Sequence, residues 1–153
     1  MNILVTGGTG FVGKPLVESL LSRGDSVTVL TRSIEKAQTI FPEKTPQFLT
    51  ALSTLKDLNA FDAVINLAGE PIFDKKWTVQ QKEKLRHSRI DLTQQIVQLI
   101  NQSEHPTVLI SGSATGIYGD GGEDVLTENS YPSSQFTAQL CIDWENAAKQ
   151  ANT

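Results

Sequence analysis

The chain has 153 residues, a formal net charge of -4, 39% hydrophobic residues and 20% charged residues, which is typical of a globular domain. Its acidic balance argues against a nucleic-acid partner, and no apolar stretch approaches the roughly 18 residues of a membrane helix. A single cysteine excludes an internal disulfide and a cysteine metal cluster, and the N-terminus does not resemble a signal peptide. We therefore expect one cytoplasmic domain over residues 1–153, with no metal and no membrane contact.

Short apolar runs alternate with segments of helical periodicity along the whole chain. The predicted strands cover residues 2–6, 26–31, 46–52, 63–67 and 106–111, and the predicted helices cover residues 11–23, 33–41, 78–102 and 135–150. Loops cover residues 70–77 and the glycine-rich segment 112–134. This alternation predicts a parallel sheet with helices on both faces, a doubly wound Rossmann-type α/β fold with its site at the carboxyl ends of the strands.

The stretch GTGFVGKP, residues 8–15, fits two phosphate-binding patterns. The first is a P-loop, which needs Ser or Thr after its lysine to ligate magnesium and usually also a strand that ends in Asp. Pro15 follows Lys14, and none of the predicted apolar strands ends in Asp. The P-loop interpretation therefore fails, because the residues that would bind magnesium are missing. Lys14 is expected to be a solvated lysine.

The second pattern is the glycine turn of a dinucleotide-binding βαβ unit, and its context fits. The glycines directly follow the first strand and open the first helix. In such a unit Gly7 allows the tight turn, Gly10 lets the backbone approach a pyrophosphate, and Gly13 lets the helix pack closely. The helix N-terminus then faces the negative phosphates. The stretch therefore predicts a redox-cofactor site.

The end of the second strand bears on which cofactor binds. NAD sites usually place Asp or Glu about 20 residues beyond the glycines, where it binds the ribose hydroxyls. Here the sequence is Thr31, Arg32 and Ser33, without an acid. An arginine can form a bidentate contact with a 2′-phosphate that a carboxylate would repel. The sequence thus favours NADP(H) over NAD(H), with Arg32 and Ser33 on the 2′-phosphate.

Several motifs resemble the extended short-chain dehydrogenase/reductases, and in particular their atypical epimerase family branch. These are ILVTGGTGFVG, VTVLTRS, VINLAGEPI, SRI, LISGSATGIYGD, VLTE and LCxxWE. The resemblance implies a Rossmann core with strand order 3-2-1-4-5, and a substrate lobe that lies beyond this chain in a longer protein. The fifth strand would then be an uncovered apolar edge, so we expect the chain alone to associate or to be marginally stable.

The same resemblance implies a catalytic Ser, Tyr and Lys. The serine matches Ser113, with Ser111 and Thr115 beside it. The Tyr-x-x-x-Lys motif is missing from the last helix. Depending on the register, Phe136 and Leu140 or Thr137 and Cys141 stand in its place. Tyr118 is an alternative acid/base or an aromatic packed at the site, and Cys141 is a reactive thiol or a core residue.

Other residues are candidates with two interpretations. By the same resemblance, Arg89 lies where many members of the family keep an asparagine, and it either reaches a substrate or cofactor anion or forms a salt bridge with a carboxylate. Glu70 faces substrate or caps its loop, Trp77 is expected to anchor that loop, and the acidic segment DGGEDVLTE is interpreted as a solvated lid. The predicted cofactor-binding residues are Gly7, Thr9, Gly10, Phe11, Val12, Gly13, Arg32, Ser33, Leu67, Ala68, Gly69, Arg89 and Ser111.

Two functions remain open at this point. The first is an NADP(H)-dependent oxidoreductase or epimerase-like enzyme that acts on a small hydroxy, keto or nucleotide-sugar-like substrate, either as a monomer or as a homo-oligomer. In it, Ser113 orients the reacting oxygen and Tyr118 exchanges a proton. The second is a non-catalytic NADP(H)-binding sensor or regulatory protein, which the missing tyrosine and lysine favour.

Overall fold

A computed structural model describes residues 1–42 and 45–153 and shows a five-stranded parallel sheet of order β3-β2-β1-β4-β5. Its strands are β1 (Asn2–Thr6), β2 (Ser26–Leu30), β3 (Gln47–Leu49), β4 (Ala63–Asn66) and β5 (Val108–Ser111). The helices are α1 (Gly13–Ser22), α2 (Ile34–Ile40), α3 (Val79–Arg86), α4 (Leu92–Asn101) and α5 (Phe136–Ala148). The Rossmann-type fold and the strand order are confirmed.

The elements differ from the sequence-based prediction mainly at their ends. Helix α1 begins at Gly13 rather than at Phe11, because residues 11 and 12 still belong to the glycine turn. Strand β3 is three residues long instead of seven. The long helix is interrupted by a π-helical turn, His87–Asp91, which separates α3 from α4. Such single π turns often occur at functional sites.

The sheet has an apolar layer on each face, because successive residues of a strand point to opposite sides. On one face, Ile3 and Val5 pack with Val17 and Leu20 of α1. On the other face, Leu4 lies in the core that includes Ile96 of α4. A smaller cluster joins the region of α3 to α5 and contains Leu85, Ile90, Leu140, Trp144 and Ala147. Among the helices of the described residues, none is long and apolar enough to cross a membrane.

A buried polar network ties β1, β4 and α4 together beneath the carboxyl ends of the strands. Thr6 Oγ1 donates to Asn66 Oδ1 at 2.7 Å, and Asn66 Nδ2 donates to Thr93 Oγ1 at 2.8 Å. Trp144 Nε1 also donates to Thr93 Oγ1, at 2.9 Å, and Thr93 in turn donates to the Arg89 carbonyl at 2.6 Å. Thr6, Asn66 and Thr93 are all fully buried, so each needs these partners.

We expect Thr93→Val to lower the free energy of unfolding by about 2 kcal/mol, because Trp144 Nε1 loses its hydroxyl partner and Asn66 Nδ2 keeps only the longer contact with Ser111 Oγ, at 3.3 Å. Urea unfolding followed by circular dichroism measures this change. Thr39→Val is the matched control: Thr39 is exposed, and its hydroxyl donates to the Lys36 carbonyl at 2.8 Å. Its effect should stay within about 0.5 kcal/mol. Equal effects of the two substitutions would contradict the role given to the network.

Strand β5 lies at the edge of the sheet and leaves apolar side chains uncovered. Val108 and Ile110 are 54% and 53% exposed, although their register neighbours Ala63 and Ile65 are buried. The expectation that the chain alone associates or is marginally stable stays a prediction, and these exposed side chains favour association through this edge. Sedimentation should show a concentration-dependent increase in mass that the double variant Val108→Thr/Ile110→Thr reduces. A wild-type chain that stays monomeric at about 100 μM would contradict it.

Candidate functional site

A large cavity, of about 850 Å³, opens at the carboxyl ends of β1, β2 and β4. Strands β1 and β4 are hydrogen-bonded neighbours, as are β1 and β2, so the loops that follow them meet at this end of the sheet. The lining residues are Gly7, Thr9, Gly10, Leu30, Thr31, Arg32, Ser33, Lys36, Ala37, Ile40, Thr50, Leu67, Ala68, Gly69, Glu70, Pro71, Ser88 and Leu92. The cavity therefore joins the glycine turn to the end of β2 and to the loop after β4.

The glycine turn is compact enough that side chains cannot be added to it freely. Gly7 has a φ of +69°, and a Cβ there would lie 2.7 Å from the Leu67 carbonyl carbon. A Cβ on Gly13 would collide with the Gly7 carbonyl and with the Gly8 backbone. The Gly10 amide donates to the Gly7 carbonyl at 3.0 Å. These contacts close the turn and leave Gly7 and Gly10 on the cavity wall.

Basic and hydroxyl side chains follow β2 and line one end of the cavity. Thr31 Oγ1 donates to the Ser33 carbonyl at 3.1 Å, and Ser33 Oγ accepts from the Lys36 amide at 3.4 Å as the cap of α2. Arg32 and Lys36 are both exposed and both line the cavity. Lys36 lies four residues after Arg32 and adds a second cation that the sequence analysis did not identify. Lys14, in contrast, is exposed and does not line the cavity.

The carboxylate in this cavity comes from the end of β4, and not from β2. Glu70 Oε1 accepts from Lys75 Nζ at 3.0 Å. This hydrogen bond lowers the pKa of Glu70, and the charges of Lys75 and Arg32 act in the same direction. The lowered pKa keeps Glu70 ionised on the cavity wall, and its hydrogen bond with Lys75 helps to hold its loop.

The loop after β4 is held by two adjacent residues of the π turn. The Glu70 amide donates to Ser88 Oγ at 2.9 Å, and the Glu70 carbonyl accepts from Arg89 Nη2 at 3.1 Å. Arg89 therefore contacts backbone here, whereas the sequence-based alternatives were an anion or a carboxylate. Ser88 was not identified as a site residue, although it belongs to the SRI motif.

Some predicted cofactor-binding residues do not line the cavity: Phe11, Val12, Gly13, Arg89 and Ser111. Phe11 is 98% exposed, so it lies at the outer rim of the glycine turn. Gly13 serves the close packing of the turn, and Arg89 lies behind the loop that forms the wall. Ser111 lies at the end of β5, where its hydroxyl accepts from Asn66 Nδ2 at 3.3 Å.

The predicted catalytic serine forms a hydrogen bond with a glutamate of α5. Ser113 Oγ donates to Glu145 Oε1 at 2.6 Å, and Glu145 Oε2 lies 3.6 Å from Lys149 Nζ. All three residues line a second cavity of about 370 Å³ beside β5. Glu145 is thus a partner of Ser113 that was not predicted from the sequence. The other predicted catalytic residue, Tyr118, directly follows a short 3₁₀ turn, Thr115–Ile117, and is half-buried.

Helix α5 presents different residues to the two places it contacts. Phe136 and Leu140 pack in the cluster with Leu85 and Ile90. The register of Thr137 and Cys141 faces the loop after β5, because a Cβ added to Gly116 in that loop would lie 3.6 Å from Thr137 Cβ. Cys141 in this register is buried beside the Ala114 backbone. Burial raises the pKa of the Cys141 thiol, so its environment favours the core interpretation over a reactive thiolate.

We expect Cys141 to react with iodoacetamide in the native protein at least about 100-fold more slowly than in the unfolded chain, because reaction requires both exposure and the thiolate. Mass spectrometry of samples quenched over time, with and without denaturant, measures the two rates. Equal rates would show that the thiol is accessible and would contradict the core interpretation.

Two aromatic rings connect the loop of residues 70–77 to α5. Trp77 Nε1 donates to the Ile72 carbonyl at 2.8 Å, and its ring meets the Phe136 ring edge-on with centroids 5.8 Å apart. Trp77 is therefore placed as an anchor of this loop.

The described residues contain no group of three or more His, Cys, Asp or Glu side chains that could hold a metal ion.

Comparison with known proteins assigns the chain to a family. A family model described as the NAD dependent epimerase/dehydratase family matches residues 3–152. An epimerase family protein SDR39U1 homolog, chloroplastic, from Arabidopsis thaliana is 39% identical over 158 residues, which cover 99% of this chain and 45% of that protein. The chain thus spans about half the length of this relative.

Solved structures agree with this assignment. Human epimerase family protein SDR39U1 (isoform 2), solved with NADPH, superposes with a TM-score of 0.82 at 28% identity, over 97% of this chain and 48% of that one. The nucleoside-diphosphate sugar epimerase from Corynebacterium glutamicum superposes with a TM-score of 0.75 at 32% identity, over 99% of this chain and 31% of that one. With the Rossmann-type sheet, the glycine turn and a family match over nearly its whole length, the chain belongs to the NAD dependent epimerase/dehydratase family.

Proposed function

We propose that the protein binds NADP(H) in the large cavity, in preference to NAD(H). The observation that carries this proposal is the combination, in one cavity, of the glycine turn with Arg32, Ser33 and Lys36. Two cations and a hydroxyl suit a phosphate, and the end of β2 offers no carboxylate to a ribose hydroxyl. NADPH in the structure of the human relative is consistent with this preference.

The residues present fit a dinucleotide of this kind. A pyrophosphate would lie against the backbone of Gly7 and Gly10, at the start of the ten-residue helix α1. A 2′-phosphate would lie at the Arg32 end of the cavity. Leu30, Ala37 and Ile40 give the same end an apolar wall, which suits an adenine ring.

We further propose that the protein is an epimerase-like oxidoreductase when its substrate-binding part is present. Bound NADP(H) would supply hydride exchange with a hydroxyl or carbonyl carbon. Ser113 would orient the substrate oxygen, with Glu145 holding the serine hydroxyl at 2.6 Å, and Tyr118 would exchange the proton. A small hydroxy or keto compound of nucleotide-sugar type is the proposed substrate, by analogy with the Corynebacterium relative.

A second candidate function is NADP(H) binding without turnover. It is favoured by one observation on α5: three of the four positions available for the missing tyrosine and lysine contribute to the packing of the helix. Phe136 and Leu140 belong to an apolar cluster, and Cys141 is buried. None of these three side chains can replace a tyrosine–lysine pair as a proton donor stabilised by a cation.

One experiment separates the two candidates. The full-length protein, saturated with NADPH or NADP⁺, is incubated with a panel of alcohols, carbonyl compounds and nucleotide sugars while absorbance at the reduced-nicotinamide band and product masses are followed. Turnover that Ser113→Ala reduces at least about 100-fold supports the enzyme. Bound cofactor without turnover across the panel supports the binding protein.

A further inference from the structure

We infer that Arg89 is a positioning residue: its guanidinium holds the backbone of Gly69 and Glu70, one wall of the large cavity, in the conformation that accepts the cofactor. The inference rests on the proposed NADP(H) site, because this wall affects binding only if a dinucleotide lies against it. Gly69 and Glu70 line the cavity, whereas Arg89 does not. Arg89 therefore acts on the cavity wall indirectly, through Gly69 and Glu70 and through Ser88, whose hydroxyl accepts from Arg89 Nη1 at 3.4 Å.

The guanidinium connects the loop to the end of α3 through two separate nitrogens. Arg89 Nη2 donates to the Glu70 carbonyl at 3.1 Å, and Nη1 donates to the Leu85 carbonyl at 3.3 Å. A planar guanidinium with fixed donor directions can hold two carbonyls at a set separation, which a lysine ammonium cannot do in the same way. The loop is thereby held at a defined distance from the helix.

Ser88 also forms a hydrogen bond with the backbone of Glu70. Its hydroxyl accepts from the Glu70 amide at 2.9 Å and donates to the Leu85 carbonyl at 3.0 Å. Both backbone polar groups of Glu70 are thus bonded to adjacent side chains of the π turn, and both side chains also bond to one carbonyl at the end of α3. Orienting the loop before the ligand arrives reduces the entropy cost of binding.

Packing keeps the guanidinium in place. Its Cζ lies over the Trp144 ring, 5.5 Å from the centroid, and Trp144 is itself fixed by its hydrogen bond to Thr93. Burial lowers the pKa of Arg89, as expected for a guanidinium that is partly withdrawn from water. Arg89 is therefore seated on the buried network rather than free at the surface.

The glycine at position 69 leaves the space that Arg89 occupies. A Cβ added to Gly69 would lie 2.7 Å from Arg89 Cζ and 2.8 Å from Nη2. The guanidinium is the end of a flexible side chain, so a methyl group would displace it and leave the backbone in place. Gly69→Ala should consequently weaken the same contact that Arg89→Ala removes.

The test is a double-mutant cycle on these two residues. NADPH binding is measured by fluorescence titration for the wild type, Gly69→Ala, Arg89→Ala and the double variant. We expect each single substitution to raise Kd about tenfold and the double variant to stay near tenfold, because both disrupt one contact. An additive, roughly hundredfold increase in the double variant would overturn the inference, as would single substitutions without effect.

A matched control and a ligand-free measurement separate this inference from the proposed function. Arg86→Ala removes the guanidinium that pairs with Asp143 at 2.6 Å, one turn earlier in the helix, and should leave Kd unchanged. In the absence of ligand, hydrogen exchange over residues 68–72 should quicken at least about fivefold in Arg89→Ala and Gly69→Ala, but not in Arg86→Ala.

If Arg89→Ala proves too unstable to titrate, hydrogen exchange over residues 68–72 in Gly69→Ala still tests the inference, because this variant retains the arginine. Unchanged exchange in Gly69→Ala would overturn the positioning role. A wild-type protein that fails to bind NADPH would overturn the proposed function, while faster exchange in the two variants would still show that Arg89 holds the loop. The two failures are thereby distinguishable.

Discussion

Replacing Arg32 with alanine is expected to weaken NADPH binding about 30-fold and to change NADH binding by no more than about twofold. The physical reason is that a guanidinium at the end of β2 gains a charge-assisted, bidentate contact only when a 2′-phosphate is present. Arg32 is exposed before binding, so no buried partner is left unpaired by the substitution. Calorimetric titration of both cofactors measures the two constants.

Two lysine substitutions control this result. Lys36→Ala removes the second cation of the cavity and should weaken NADPH binding about fivefold. Lys14→Ala removes an exposed lysine that does not line the cavity and whose Nζ lies 3.8 Å from Glu18 Oε1. This substitution should therefore leave the affinity for both cofactors unchanged. If Arg32→Ala left the ratio of the two affinities unchanged, or if Lys14→Ala changed it equally, the 2′-phosphate assignment would be wrong.

Gly13→Ala is expected to lower the free energy of unfolding by at least about 3 kcal/mol. The added methyl group would collide with the Gly7 carbonyl and the Gly8 backbone, and neither is a side chain that can rotate away. The start of α1 would have to move away from β1, and Gly7 and Gly10 would move with it. Chemical unfolding and NADPH titration of the same sample should therefore both show losses.

Gly10→Ala provides the comparison for that result. A Cβ on Gly10 would lie 3.2 Å from the Gly7 carbonyl, a tight contact that small shifts relieve. Gly10 lines the cavity, whereas Gly13 does not. We therefore expect Gly10→Ala to reduce NADPH affinity with a loss of stability below about 1 kcal/mol. A larger loss of stability for Gly10→Ala than for Gly13→Ala would contradict the packing described for this turn.

Much of the fold could be predicted from local sequence signals. Each strand is a short apolar run that ends near a glycine or a polar residue, and α1 follows the glycine turn directly, so pattern and structure agree there. The π turn at His87–Asp91 could not be predicted from periodicity, because its residues continue the helical pattern of α3 and α4. Strand β3 was predicted too long because Thr50 and Ala51 continue an apolar or β-prone run after it has left the sheet.

The site was predicted in part, for a similar reason. The glycine turn and Arg32 are contiguous with recognisable strand ends, and both line the cavity. Ser88, Thr93 and Glu145 were missed because their partners lie 18, 27 and 32 residues away, at Glu70, Asn66 and Ser113. Only the packing of α3, α4 and α5 on the sheet brings such residues together, and no local pattern encodes that distance.

The packing of α5 bears on whether this helix could hold a catalytic tyrosine and lysine. The sequence shows only that tyrosine and lysine are missing, whereas the structure shows that Phe136 and Leu140 stabilise an apolar cluster. A lysine at Leu140, which is 2% exposed, would bury an amine among apolar side chains, at a cost of several kcal/mol. The proposed enzyme activity would therefore rely on the loop after β5, where Ser113 and Tyr118 lie, and on Glu145.

The most direct test of the account is a calorimetric titration of the wild-type protein with NADPH and with NADH under the same buffer and salt conditions. We expect one site per chain and at least tenfold tighter binding of NADPH, corresponding to about 1.4 kcal/mol. Equal affinities, tighter binding of NADH, or no heat of binding with either cofactor would contradict the assignment of this cavity to NADP(H).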